Sequence, residues 1–362
     1  MTSPYAGLAA RAYWRSGVVE RHPLDPGDIY LKKYSITESD KIATAGSCFA
    51  QHIARRLRQN NYTVVDEEPA PPGLTGVTAV KFGYDLYSAR YGNIYTTRQL
   101  IQLTKEAMGQ FEPTDCVWSK DGRYFDALRP SVEPHGLDTP EMVADHRRQH
   151  LACVASIFRT ATIFVFTLGL TETWVHKASG TVYPTAPGTI AGSYNPQAYE
   201  FKNLTYQEVV SDFEEFRLLM KSFNPNMRFI LTVSPVPLTA TASGEHVLPA
   251  TIYSKSVLRA AAGYLAAAYA DIDYFPSYEI IAGMQARGFF YESNLREVSA
   301  SGVDVVMRCF FDQHAPISVP KSEANENDAD LRNAEIGPTR PWRQSRQEEI
   351  VCEEVLLEGF GR

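Results

Sequence analysis

The chain has 362 residues, enough for one large α/β domain or two smaller ones. Its 44% hydrophobic and 21% charged residues are the balance of a soluble globular protein able to bury a sizeable core. A net charge of −7, from 35 basic and 42 acidic residues, argues against a nucleic-acid backbone as the main partner.

Residues 1–40 are polar and aromatic, with turn chemistry at Pro23-Leu24-Asp25-Pro26-Gly27, and read as an arm lying over the domain. Lys41 to Ala45 reads as a short buried strand that Ala45-Gly46 breaks. From Phe49 the apolar positions Phe49, Ala50, Ile53, Ala54 and Leu57 recur at helical spacing. Tyr62-Thr63-Val64-Val65 reads as a second strand, and Pro69-Ala70-Pro71-Pro72-Gly73 as a loop. Thr96 or Thr97 can cap a helix through Leu100, Ile101 and Leu103. An insertion around 110–136 contains a hairpin at Lys120-Asp121-Gly122-Arg123. Asp138-Thr139-Pro140-Glu141 starts a helix running to about Arg159.

The run Ala161 to Gly169 is the clearest strand, apolar enough to be buried on both faces of a parallel sheet. A helix over Thr205 to Phe223, a strand at Arg228 to Pro235, an alanine-rich helix over Thr251 to Ala270, a strand at Ile272 to Pro276 and a helix over Ser299 to Phe311 follow. This alternation predicts an α/β fold with three layers, α/β/α, around a parallel sheet of about five strands. Residues 313–347 shift to Asn, Glu, Asp, Pro and Arg and read as a linker. Residues 348–362 regain a helical pattern that can dock on the domain or on a second subunit, as in a homodimer.

Five scattered cysteines with no CxxC pair suggest neither a disulfide framework nor a zinc knuckle, so reduced thiols in a cytoplasm are expected. Neither a signal pattern nor a membrane-length apolar run is visible, so no membrane span is expected.

In open α/β sheets ligands collect at the carboxyl ends of the strands. The residues there are Ser47, the Gly169-Leu170-Thr171-Glu172 turn, the Ser234-Pro235 loop leading to His246, and Ser277-Tyr278-Glu279; Gly92-Asn93 can face the same crevice. A serine on a sharp strand-to-helix turn presents its hydroxyl above the sheet, and its N–H opens a helix, where negative charge is favoured. Such a turn serves a nucleophile and its oxyanion, and it also serves close packing alone.

Ala45-Gly46-Ser47-Cys48-Phe49-Ala50 contains Gly-Ser-Cys-Phe-Ala, the signature of the GSCFA family. The stretches at Gly92 to Thr97, Thr167 to Trp174, Thr232 to Val236, Ser254 to Ser256 and Tyr274 to Glu279 resemble the family's other marks. The family resembles SGNH/GDSL esterases, which implies an SGNH-hydrolase-like, flavodoxin-like fold and a serine that attacks acyl carbonyls. By that resemblance Ser47 is the nucleophile, Gly92 and Asn93 provide oxyanion donors, and Thr171, followed by Glu172, stands where an esterase has an asparagine donor. Some relatives are associated with polysaccharide biosynthesis, which implies a saccharide substrate.

The esterase Asp-x-x-His is replaced by Asn294-x-x-Glu297. His246 is the expected base, with Glu297 or Glu279 orienting it; His52, His176 and Glu297 itself are the alternatives. Cys48 is a rival nucleophile. His146 and His150 have a metal-capable i, i+4 spacing, but with no third ligand a solvated helix face is expected. The expected activity is an esterase or O-acyltransferase working through an acyl-Ser47 intermediate, without metal or cofactor. Acyl-CoA would serve as a co-substrate for transfer, though no phosphate-cradling loop is present. The competing expectation is a saccharide-binding or assembly protein that keeps the fold without the base.

Overall fold

Short apolar runs form the centre of the structure, a computed structural model that describes residues 3–314 and 350–361. In chain order the elements are β1 (Ile42–Gly46), α1 (Phe49–Gln59), α2 (Gly76–Lys81), α3 (Thr97–Ala107), β2 (Val117–Lys120), β3 (Arg123–Asp126) and α4 (Pro140–Thr160). Then come β4 (Ile163–Leu168), β5 (Glu172–His176), β6 (Val182–Tyr183), β7 (Tyr199–Asn203), α5 (Tyr206–Phe223) and β8 (Arg228–Val233). The last are α6 (Val247–Ala268), β9 (Ile272–Tyr274), α7 (Ser277–Ala282) and α8 (Ala300–Gln313).

The central sheet is parallel, with four strands in the order β1-β4-β8-β9. Every residue of β1 and β4 is buried, as a sheet covered on both faces requires. On one face Phe164, Phe166, Phe229 and Leu231 pack against α3, α4, α5 and α6. On the other, Ile42, Val165 and Ile230 meet Phe49 and Ile53 of α1, Ile281 of α7 and Val306 of α8.

The expected fifth strand is reduced to one bridge. Val64 pairs in parallel with Ile42, held by Ile42 N–H to Thr63 O and Val65 N–H to Ile42 O, and the chain then turns away through Asp66 and Glu67. Counted with this bridge, the order in chain sequence is 2-1-3-4-5, and the topological switch lies between β1 and β4.

Caps lie where local chemistry puts them. Thr96 with Gln99 and Thr205 with Glu208 form capping boxes, and Thr139 accepts from Met142 N–H ahead of Pro140. The hairpin β2–β3 matches the expected insertion. A second antiparallel sheet, β6-β5-β7, was not foreseen; its short alternating strand β5 follows the Gly169 turn so closely that it reads as part of it. Among the described residues no helix is long and apolar enough to cross a membrane.

The N-terminal arm lies over the sheet edge, where Tyr30 donates to Asp273 and Lys33 donates to the carbonyls of Ala266 in α6, of Tyr269 just past it and of Ile272 in β9. The expected linker lies outside the described residues beyond His314. Residues Glu353–Phe360 are a short 3-10 helix rather than the expected longer α-helix, and with Val351 and Cys352 they dock on the domain.

Gly46 ends β1 with φ +134°, and a Cβ there would stand 2.4 Å from Thr167 O. Gly46→Ala is therefore expected to cost on the order of 3 kcal/mol in chemical denaturation. Gly122→Ala, at a hairpin turn with nothing within 4 Å, should cost about 1 kcal/mol. Equal losses would mean that backbone conformation, not the approach to β4, governs the first position.

Candidate functional site

The site forms where β1 and β4 end. Ser47 leaves β1 with its N–H bonded to Thr167 O at 3.1 Å, extending the parallel ladder by one residue. Its amide is therefore not the free helix-opening donor expected. The next amide in the turn, that of Cys48, has no acceptor among the described residues. The loop 91–96 crosses the strand ends, pinned by Ile94 N–H to Gly46 O and by Gly169 and Leu170 N–H to Tyr95 O. Gly169 fits only as glycine, because a Cβ would lie 2.8 Å from the Ser47 Cβ.

Ser47, Cys48, Tyr95, Gly169, Lys255 and Glu354 line a small cleft together with the 234–238 loop. The Ser47 hydroxyl is buried and has no hydrogen-bond partner among the described residues. A buried unsatisfied hydroxyl is costly and calls for a ligand or a functional role. Lys255, from α6, is fully buried and donates to Gly169 O at 2.5 Å. Burial lowers its amine from the usual lysine value to about 8, against the opposing pull of Glu354.

Asn93 is buried and oriented from behind: its Oδ1 accepts from Tyr87 OH at 2.5 Å and from Gln51 Nε2 at 3.3 Å. Its Nδ2 is thereby turned forward as a donor, and it meets Val351 O at 3.1 Å and the Glu353 carboxylate. Gly92 beside it has φ +69°, a left-handed turn residue with Glu353 Oε1 close by. Tyr95 OH, at 2.7 Å, and Ser131 Oγ also donate to Glu353.

The remaining expected residues are not brought together. His246 is exposed at the start of α6, where its Nδ1 accepts the Leu248 N–H as a helix cap, and it does not line the cleft. Thr171 spends its hydroxyl on Asn203 Oδ1 at 2.6 Å, so it does not replace an oxyanion asparagine. Glu172 starts β5 and accepts from Thr241 OH; burial raises its carboxyl above the usual range.

Glu297 is exposed. Asn294 Oδ1 accepts the amides of both Arg296 and Glu297, and this turn buries the neighbouring Arg296 instead, against Glu354 and Cys352. Glu279 is committed to Arg259 and Tyr274. His52 is buried against Phe49, and His176 bonds Ser179 and packs edge-on to Tyr199, in the outer sheet. His150 is not on a solvated face; it is buried on Glu68 at 2.6 Å, and desolvation lowers it to about 4. Among the described residues no His/Cys/Asp/Glu cluster suits a metal ion.

Lys255 and Arg296 were missed. The Ser254-Lys255-Ser256 stretch was visible as a mark, but a lysine on a helix reads as solvated until the helix is placed. Residues 41–310, most of the chain, match the GSCFA family. The chain belongs to the GSCFA family. A comparison with curated proteins found no match.

This GSCFA domain supplies every residue lining the cleft except Glu354, which arrives from beyond the matched region. His246→Ala should cost about 1 kcal/mol, the loss of a helix cap. It should leave the rate at which Ser47 reacts with a fluorophosphonate unchanged. A tenfold or greater drop would return His246 to the site.

Proposed function

We propose that the protein carries out serine-dependent acyl-ester chemistry, as an esterase or O-acyltransferase, with Ser47 as nucleophile and Lys255 as its proton acceptor. The observation that carries this reading is the buried, unpartnered Ser47 hydroxyl in one cleft with a lysine whose amine is held near 8. An amine with that value is half neutral in mildly alkaline solution and can take a hydroxyl proton, which a carboxylate at about 4.3 does poorly.

Ser47 Oγ attacks the acyl carbon as its proton passes to Lys255 Nζ. The oxyanion is met by Asn93 Nδ2 and the Cys48 amide. Lys255 returns the proton to the departing alcohol as the ester C–O bond breaks. Water, or an acceptor hydroxyl such as that of a saccharide, then attacks the acyl-Ser47 carbonyl, giving its proton to Lys255, which passes it to Ser47 Oγ as the acyl–Oγ bond breaks and hydrolysis or transfer is complete. An SGNH-like ancestry of the fold agrees with a nucleophile at the end of the first strand. The contrary reading, a binding protein without turnover, draws on the commitment of the Ser47 amide to Thr167 O.

Fluorophosphonate labelling separates the two. Labelling should vanish in Ser47→Ala, persist in Cys48→Ala, and fall at least about a hundredfold in Lys255→Met, the scale of a lost general base. Because the base is the neutral amine, the rate should climb from pH 6 and level off above about 8. Absence of labelling at any pH, or labelling that survives Ser47→Ala, overturns the reading. Release of p-nitrophenol from its acetate, with and without sugar acceptors, divides hydrolysis from transfer.

A further inference from the structure

Glu354 lines the cleft, and Val351, Cys352 and Glu353 dock beside it. Val351 makes a reciprocal pair of bonds with the Gln51 side chain: its carbonyl accepts from Nε2 at 2.7 Å and its N–H donates to Oε1 at 3.1 Å. Glu353 accepts from Asn93, Tyr95 and Ser131. Glu354 meets Arg296 Nη2 at 3.1 Å and lies in the field of Lys255. Both carboxylates are buried. Cys352 lies between Cys48 and Arg296.

This occupant does not fill the receptor. Arg296 is bonded to Glu354 through one nitrogen only, while its buried Nε has no partner among the described residues. The Ser47 hydroxyl is likewise unfilled. A guanidinium offers a two-point fork for a carboxylate, so a one-point contact leaves a charge-assisted bond unmade. The occupant also comes from outside residues 41–310, which supply the receptor groups.

We propose that the cleft is a receptor for an acidic ligand, with the carboxylate of that ligand on Arg296 beside Lys255, and that residues 351–354 are its resident competitor. Glu354 stands in for the ligand's acid group, and Glu353 covers the Asn93 donor. The corollary, that the ester acted on carries a carboxylate and that the tail must leave for turnover, rests on the Ser47 reading; the receptor itself does not.

The test uses the full-length chain. In Glu353→Gln/Glu354→Gln the tail keeps its length and loses both carboxyl groups. Alkylation of Cys352 by iodoacetamide, read by mass spectrometry, should accelerate about tenfold or more as the tethered tail is released. Glutarate should bind this variant about tenfold tighter than it binds the wild type, and about tenfold tighter than neutral glutaramide, by NMR titration. In the wild type, where no substitution threatens folding, tens of millimolar glutarate should speed Cys352 alkylation and glutaramide should not; that range is set by a tethered competitor's effective concentration.

Equal affinity for the acid and the diamide, or Cys352 alkylation indifferent to glutarate, overturns the receptor. Ser47 labelling is a separate readout. Glutarate discrimination without any labelling keeps the acid site and sinks the acyl chemistry. Labelling without discrimination does the reverse.

Discussion

The close approach of two strand ends governs this molecule. Thr167 leaves no room for a Cβ at Gly46, and Ser47 leaves none at Gly169. With both positions reduced to backbone, β1 and β4 stay in register to their last residues, and Ser47 still bonds Thr167 O. The loop 91–96 can then lie across the two ends, which delivers Asn93 and Tyr95 to the same carboxylate, that of Glu353. Larger side chains at either glycine would separate the groups whose juxtaposition makes the cleft.

The cleft's charges follow from burial rather than from exposure to solvent. Lys255 is fully buried, and Glu354 is pushed above the usual carboxylate range by desolvation, with Cys352 adding to it and Arg296 and Lys255 opposing. Cys352 is pulled below the usual thiol range by its contact with Cys48, against burial and with help from Arg296. Arg296 remains charged because Cys352 and Glu354 outweigh its own desolvation cost. Each group is held off its solution value by the others, so the set acts as one electrostatic unit. Removing a single partner leaves an uncompensated buried charge, which is why the tail and the receptor groups depend on each other.

Parallel strands and helices were readable because their signals are local. The apolar run at β4 and the capping residues Thr96, Thr139 and Thr205 carry their own reasons within a few positions. The fifth strand failed because pairing stops after one bridge, a matter of where the chain turns next rather than of the apolar character of Val64 and Val65. His246 looked suitable from its place in a strand-end loop, yet it lies one residue ahead of α6 and serves that helix's first amides. Glu297 and Arg296 differ by one position in a turn pinned by the Asn294 side chain; Arg296 is the one buried, against Glu354 and Cys352, and Glu297 faces solvent.

The sequence by itself determined the strand-to-helix turn at Gly46-Ser47, the alternation that builds a parallel sheet, and membership in the GSCFA family. Those properties reside in contiguous residues, where steric and hydrogen-bonding preferences act directly. Only the tertiary structure decided that Lys255 and Glu354 share a cleft with Ser47, and that Arg296 and Asn93 hold residues 351–354 beside it. Their separation along the chain exceeds 250 residues between Asn93 and Glu353. Coulombic coupling and desolvation act through space, so no spacing in the chain records them.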